Sequence, residues 1–160
     1  MIAEIKKNAR GYTARFERYM NHSAEKVWAY LTENDKLGQW FTELRMGELR
    51  EGGVITFDMG DGTFDHLTIL ELKTCSVLKF TWWEDTVRFE LFPETEGCLL
   101  VFTEEIKSIT PQTAKDLAGW HVCLDVIKAL LDGRSIENRM NDWEGWYPKY
   151  IEAVEHVTAE

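Results

Sequence analysis

His121 is the side chain in this sequence best placed to do chemistry. It stands in GWHVCLD with Asp125 four positions later. On a helix that spacing puts a carboxylate one turn from an imidazole, which can orient a general base or a hydrogen-bonding group toward a ligand. The same pair can tie a helix to a strand or point to water, and this structural reading comes first. Arg18 falls on the apolar side of an alternating run, Tyr12 to Met20. A guanidinium turned inward could hold a carboxylate or phenolate ligand. Its plainer reading is a side chain that reaches back to solvent or pairs with Glu17 or Glu90. Asp58, Asp61, Asp65 and His66 crowd the stretch DMGDGTFDH. Carboxylates clustered with a histidine can bind a metal, but Gly60-Asp61-Gly62 reads first as a hairpin turn.

Other chemistries lack their residues. The sequence carries no glycine-rich phosphate loop, GxSxG, HExxH or cysteine–histidine zinc spacing. The four histidines are far apart, and Cys75, Cys98 and Cys123 are scattered with no CxxC. Scattered, odd-numbered cysteines fit free thiols and a reducing compartment, and Cys123 reads as a small buried residue. No metal or cofactor is expected. The net charge of -10, with no basic run, argues against nucleic acid and anionic membranes as partners. No signal-like or membrane-spanning apolar run is present, so the expected location is cytoplasmic.

Aromatic side chains are the remaining resource. Trp40, Phe41, Phe57, Phe64, Phe80, Trp82, Phe89 and Trp120 could line a pocket for a flat or lipidic molecule, with about half of them expected to be ordinary core. Leu124, Arg18 and His121 complete the set of cavity candidates.

These residues need elements to hold them. Leu117, Trp120, Leu124, Ile127 and Leu131 recur every three or four positions, which predicts one amphipathic helix over 111–131. Thr110-Pro111 supplies its start and Gly133 its stop. Tyr12, Ala14, Phe16 and Met20 alternate with polar residues and predict a first strand. Ser23 caps a short helix through Leu31, and Asn34-Asp35 opens a second. Runs rich in Val, Ile, Phe, Trp and Thr then predict six strands at 42–49, 54–59, 64–72, 77–83, 86–93 and 97–106. Their short connections suit an antiparallel meander. Residues 1–10 read as a frayed terminus and 134–142 as a polar loop. Pro148 predicts a short helix that begins near it. There is no repeat or interdomain linker, so residues 1–160 read as one α+β domain.

SAEKVWAYLTENDKLGQWF, Thr81-Trp82, and GWHVCLDVIKALLDG followed by DWEGWYPKY resemble one family. It comprises homologues of the C-terminal domain of the activator of the heat-shock-protein-90 ATPase, within the START-like SRPBCC superfamily. The resemblance runs from about Tyr12 to Tyr150. It implies a helix-grip fold, a curved seven-stranded antiparallel sheet around the long helix, and a cavity that commonly holds apolar molecules. Three functions follow as expectations: a binding module for an apolar or aromatic small molecule, a co-chaperone-like protein-interaction module, or a cyclase- or hydrolase-type enzyme with His121 or Arg18 in the cavity. No further N-terminal domain of the kind chaperone activators use is expected, which places the co-chaperone reading second.

Overall fold

The computed structural model describes residues 2–159; Met1 and Glu160, counted in the expected single domain, lie outside the described residues. The elements run β1 (Glu4–Asn8), β2 (Gly11–Met20), α1 (Ala24–Thr32), α2 (Asn34–Trp40), β3 (Leu44–Met46), β4 (Val54–Asp58), β5 (Phe64–Lys73), β6 (Val77–Trp82), β7 (Asp85–Glu94), β8 (Gly97–Ile106), α3 (Pro111–Leu131) and α4 (Arg139–Thr158). All strands pair antiparallel in one sheet, in the order β1-β2-β8-β7-β6-β5-β4-β3. The meander from β3 to β8 is thus closed off by β2, and β1 lies outside it.

Local chemistry sets the element ends. The Ser23 side chain accepts from Lys26 N and starts α1. Thr110 caps α3 through Gln112 N, and Thr113 Oγ1 returns the bond to Thr110 N at 3.0 Å. Gly133 (φ 74) ends α3 and lets Arg134 N reach back to Ala129 O at 2.7 Å, the left-handed stop that glycine accommodates without a Cβ penalty. Asn34 bonds both the N–H and the carbonyl of Met46, so β3 is held to three residues of the expected 42–49.

The stripe on α3 packs on the sheet's inner face: Leu117, Trp120, Leu124 and Ile127 are buried together with Phe16, Phe80, Phe89 and Phe102. Val122, Cys123, Val126 and Ala129 are buried as well. A helix covered this widely needs a second partner, and α4 supplies it, packing on α3 and β1.

Three expectations change. The sheet has eight strands, not seven, because residues 4–8 of the terminus expected to fray form β1. β1 shows no apolar alternation, since it is a solvated edge strand carrying Lys6 and Lys7; such edges are recognised by backbone pairing rather than by pattern. The polar loop is shorter than 134–142, because Asn138 caps α4 at Asn141 N. Finally, α4 runs unbroken through Pro148. That residue is exposed, while Tyr150 and Val154 are buried. The tertiary anchors outweigh the one lost helical bond, which faces solvent.

Candidate functional site

The space expected behind Trp120 is filled. Its ring centroid lies 4.5 Å from Phe102, 4.9 Å from Trp82, 5.7 Å from Phe41 and 6.1 Å from Phe89. Phe80 stacks on Phe89 at 6.3 Å, and Trp40 meets Phe89 at 6.1 Å. These tilted and edge-on contacts are the preferred geometry of packed rings, so Trp120, Phe80, Phe89 and Leu124 are core.

The opening lies at the end of the grip. A cleft of about 600 Å³ runs between the first turns of α3 and the β6–β7 hairpin. Its apolar lining is Phe41, Phe57, Met59, Trp82 and Trp83. Phe57, Trp82 and Trp83 form a mutually edge-on group, with centroids 4.9–5.8 Å apart. Met59 and Trp83 are nearly half exposed on the rim. Trp83 has φ 53, a left-handed conformation that costs a bulky residue of order 1–3 kcal/mol. Its indole Nε1 donates to Asp65 Oδ2 at 2.7 Å, which fixes the ring over the opening.

Acidic side chains line the same cleft. Asp116 on α3 and Asp85 at the start of β7 line the cleft, with Glu43 and Glu84 at its rim. Behind them Glu104 points inward from β8, 2% exposed, with Oε1 lacking any hydrogen-bond partner. Burial, then the charges of Asp116 and Asp85, push the Glu104 carboxyl well above the ordinary carboxylate range, and a hydrogen bond with Asp85 adds to the rise. Two carboxyls can share such a bond only if one keeps a proton, and the more buried Glu104 keeps it. Burial also raises Asp116; the Gln112 hydrogen bond opposes this and Asp85 reinforces it.

His121 and Arg18 do not reach this cleft. Tyr150 Oη accepts from Ala3 N at 3.0 Å and sits 2.7 Å from His121 Nδ1. Burial first, with the backbone bond opposing, leaves the Tyr150 phenol raised, so it keeps its proton and donates it to His121. His121 Nε2 then carries the ring hydrogen, 3.5 Å from Asp125 Oδ2. Arg18 Nε donates to Asp125 Oδ1 at 2.9 Å. Burial, then the Arg18 charge, lowers His121 to about 3. Trp146 covers the imidazole, with ring centroids 3.8 Å apart. The spacing of His121 and Asp125 thus belongs to a buried network that joins α3 to β2, α4 and the segment before β1. Arg18 pairs with Asp125 rather than with Glu17 or Glu90 side chains.

Of the eleven cavity candidates, Phe41, Phe57 and Trp82 line the cleft. Trp40 borders a separate hollow of about 340 Å³ beside Cys123, whose thiol burial pushes up to about 11. Phe64 leaves the set: it is 55% exposed, because the inward face of β5 carries Leu67 and Ile69, of opposite parity. In DMGDGTFDH, Asp58 accepts from Gly60 N and Asp61 from Thr63 N, so both carboxylates serve the turn. Among the described residues no group of three His, Cys, Asp or Glu is arranged to hold a metal. Glu104 was missed in the sequence, although the signal that marked Arg18 also marks it: Leu100, Phe102, Glu104 and Ile106 share one inward parity.

An eight-stranded antiparallel sheet gripping a long C-terminal helix, with an aromatic cleft at one end, defines a protein of the helix-grip class. The chain belongs to the family of Activator of Hsp90 ATPase homolog 1-like proteins, whose model matches residues 21–132. It is similar to the solved structure of EF2215 from Enterococcus faecalis, a conserved protein of unknown function, with 27% identity over 97% of this chain and 91% of that one, TM-score 0.88. CalU16 from Micromonospora echinospora shares the fold at 19% identity, covering 95% of this chain and 98% of its own, TM-score 0.73. So does the Aha1 dimer from Colwellia psychrerythraea, at 20% identity over 74% and 95%, TM-score 0.63. No curated protein matches the chain. No helix among the described residues is long and apolar enough to cross a membrane.

Proposed function

We propose that this protein is a binding module for an apolar or aromatic small molecule, held in the cleft between α3 and the β6–β7 hairpin. The observation that carries the reading is the wall of Phe41, Phe57, Trp82 and Trp83 around about 600 Å³ of open space, a volume in the range of small-molecule sites. The family, whose members commonly hold hydrophobic ligands, supports it. Micromolar affinity needs about 8 kcal/mol. At about 25 cal/mol per Å² this is about 330 Å² of buried apolar area, before the cost of association is subtracted. A ligand of two or three fused rings supplies area of that order.

The test is titration with fatty acids, flavonoids and polyketide-like aromatics, read by tryptophan fluorescence and calorimetry. At least one aromatic is expected to bind in the micromolar range, and Trp83→Ala to weaken it about tenfold, in line with loss of a ring contact and its area. Trp83 stands at the rim in a strained turn, so its replacement leaves the core intact. Binding weaker than about millimolar across the panel sinks the reading and moves a protein-partner role, as in the chaperone-activator relatives, to the front.

A further inference from the structure

We infer that the cleft selects a cation: a protonated amine carried on an apolar or aromatic body. This rests on the binding reading above and narrows it to a chemical class. The cleft is lined by the carboxyl side chains of Glu43, Glu84, Asp85 and Asp116, and among the described residues no Lys, Arg or His lines it. Acidic side chains are plentiful in a chain of net charge -10, so their number alone decides nothing. Their placement does. Asp85 and Asp116 are half buried, and they stand against a third carboxyl, Glu104, that is 2% exposed with one oxygen unpartnered.

Like charges gathered out of water destabilise one another. A fold that keeps three carboxyls together has only two ways to relieve them: a retained proton, which Glu104 holds, or a positive charge from outside. Asp85 already accepts from Lys107 N and Asp116 from Gln112 Nε2, but both donors are neutral and leave the negative charge uncancelled. The Lys107 ammonium stands 3.9 Å from the Glu84 carboxylate, with both side chains more than two-thirds exposed, where screening makes the pair weak. The apolar lining suits a cation too. The π faces of Trp and Phe attract ammonium groups, and Trp82, Trp83, Phe57 and Phe41 line the same cleft as the acids, with Asp85 the direct cross-strand partner of Trp82. An ammonium in the cleft has carboxylates and aromatic rings as neighbours, while the ligand's body lies along Phe57, Trp82 and Trp83. An anionic ligand would face carboxylates with no compensating base.

Three probes with one ring system test this: naphthylmethylamine, naphthalenemethanol and naphthoate, titrated by calorimetry and followed by the indole signals of Trp82 and Trp83. The amine is expected to bind about tenfold tighter than the alcohol, and naphthoate weakest. The amine's advantage should shrink from low to high salt. Asp116→Asn should cut that advantage to about threefold or less by weakening the amine much more than the alcohol. Glu43→Gln, on the exposed rim, should reduce it more modestly and serves if Asp116→Asn does not fold. Trp83→Ala should weaken amine and alcohol alike. Equal binding of amine and alcohol, or naphthoate binding tightest, overturns the inference while the binding reading stands. Amine binding that leaves the Trp82 and Trp83 signals unmoved also overturns it. Failure of all three probes to bind overturns both.

Discussion

His121 contributes an acid-dependent loss of stability through one identifiable group. In the fold its imidazole is 1% exposed and lowered to about 3 from 6.5. Above pH 6.5 the ring is neutral in both states and its network is intact. Below that the unfolded chain takes up a proton that the folded chain refuses until about pH 3. The His121 contribution to stability is therefore lost as pH falls, by about 1.4 kcal/mol per pH unit. From about pH 7.5 to about pH 5 the loss is about 2 kcal/mol, saturating near 5 kcal/mol at the acid limit. Glu104 acts with the opposite sign: its raised carboxyl holds a proton that the unfolded chain releases above about 4.5, so it favours the fold as pH falls. Above about pH 4.5 the two contributions oppose each other as pH falls, so the bare pH profile of the protein does not isolate either group. The comparison of variants separates them. His121→Asn keeps an oxygen to accept from Tyr150 but cannot titrate. Its destabilisation, from urea unfolding, is expected to be about 2 kcal/mol smaller at about pH 5 than at about pH 7.5. A penalty equal at both pH values within about 0.5 kcal/mol, or a folded-state imidazole that titrates near 6.5 by NMR, refutes the reasoning.

Glu104→Gln removes a carboxyl that must stay protonated beside Asp85 and Asp116 and offers them an amide donor. It is expected to raise stability at neutral pH by at least about 1 kcal/mol and to change little near pH 4.5; a loss at neutral pH larger than that near 4.5 contradicts the assignment. Leu124→Ala, at a fully buried position under α3, should cost about 2–5 kcal/mol in chemical denaturation, and a cost below about 0.5 kcal/mol places Leu124 outside the core. Pro148→Ala restores a helical N–H at an exposed position of α4 and should raise the thermal midpoint, with a gain of about 1–3 kcal/mol; a lowered midpoint shows that the proline holds a needed bend.

The sequence by itself determined the elements whose cause is local. The 3.6-residue stripe from Leu117 to Ile127, its Thr110-Pro111 start and its Gly133 stop are all contained in contiguous residues, and α3 has the expected bounds. The hairpin strands follow from alternation and turn residues for the same reason. The GWH segment and its neighbours carried the family. Tertiary structure alone decided what depends on distant partners. β1 exists because β2 offers a backbone edge, and α4 passes Pro148 because Tyr150 and Val154 are anchored beneath it. His121 and Asp125 are four residues apart, and that spacing was legible. It was Tyr150, twenty-nine residues away, and Arg18 on β2 that made the pair a buried tie instead of a site. The aromatic residues were equally legible as a class. Which of them became core was settled by whether Trp120 could fill the space between helix and sheet, a question of three-dimensional volume. The cleft joins Phe57 of β4, Trp82 and Asp85 of the β6–β7 hairpin and Asp116 of α3, three separate places in the chain, and no periodicity within a single segment brings them together.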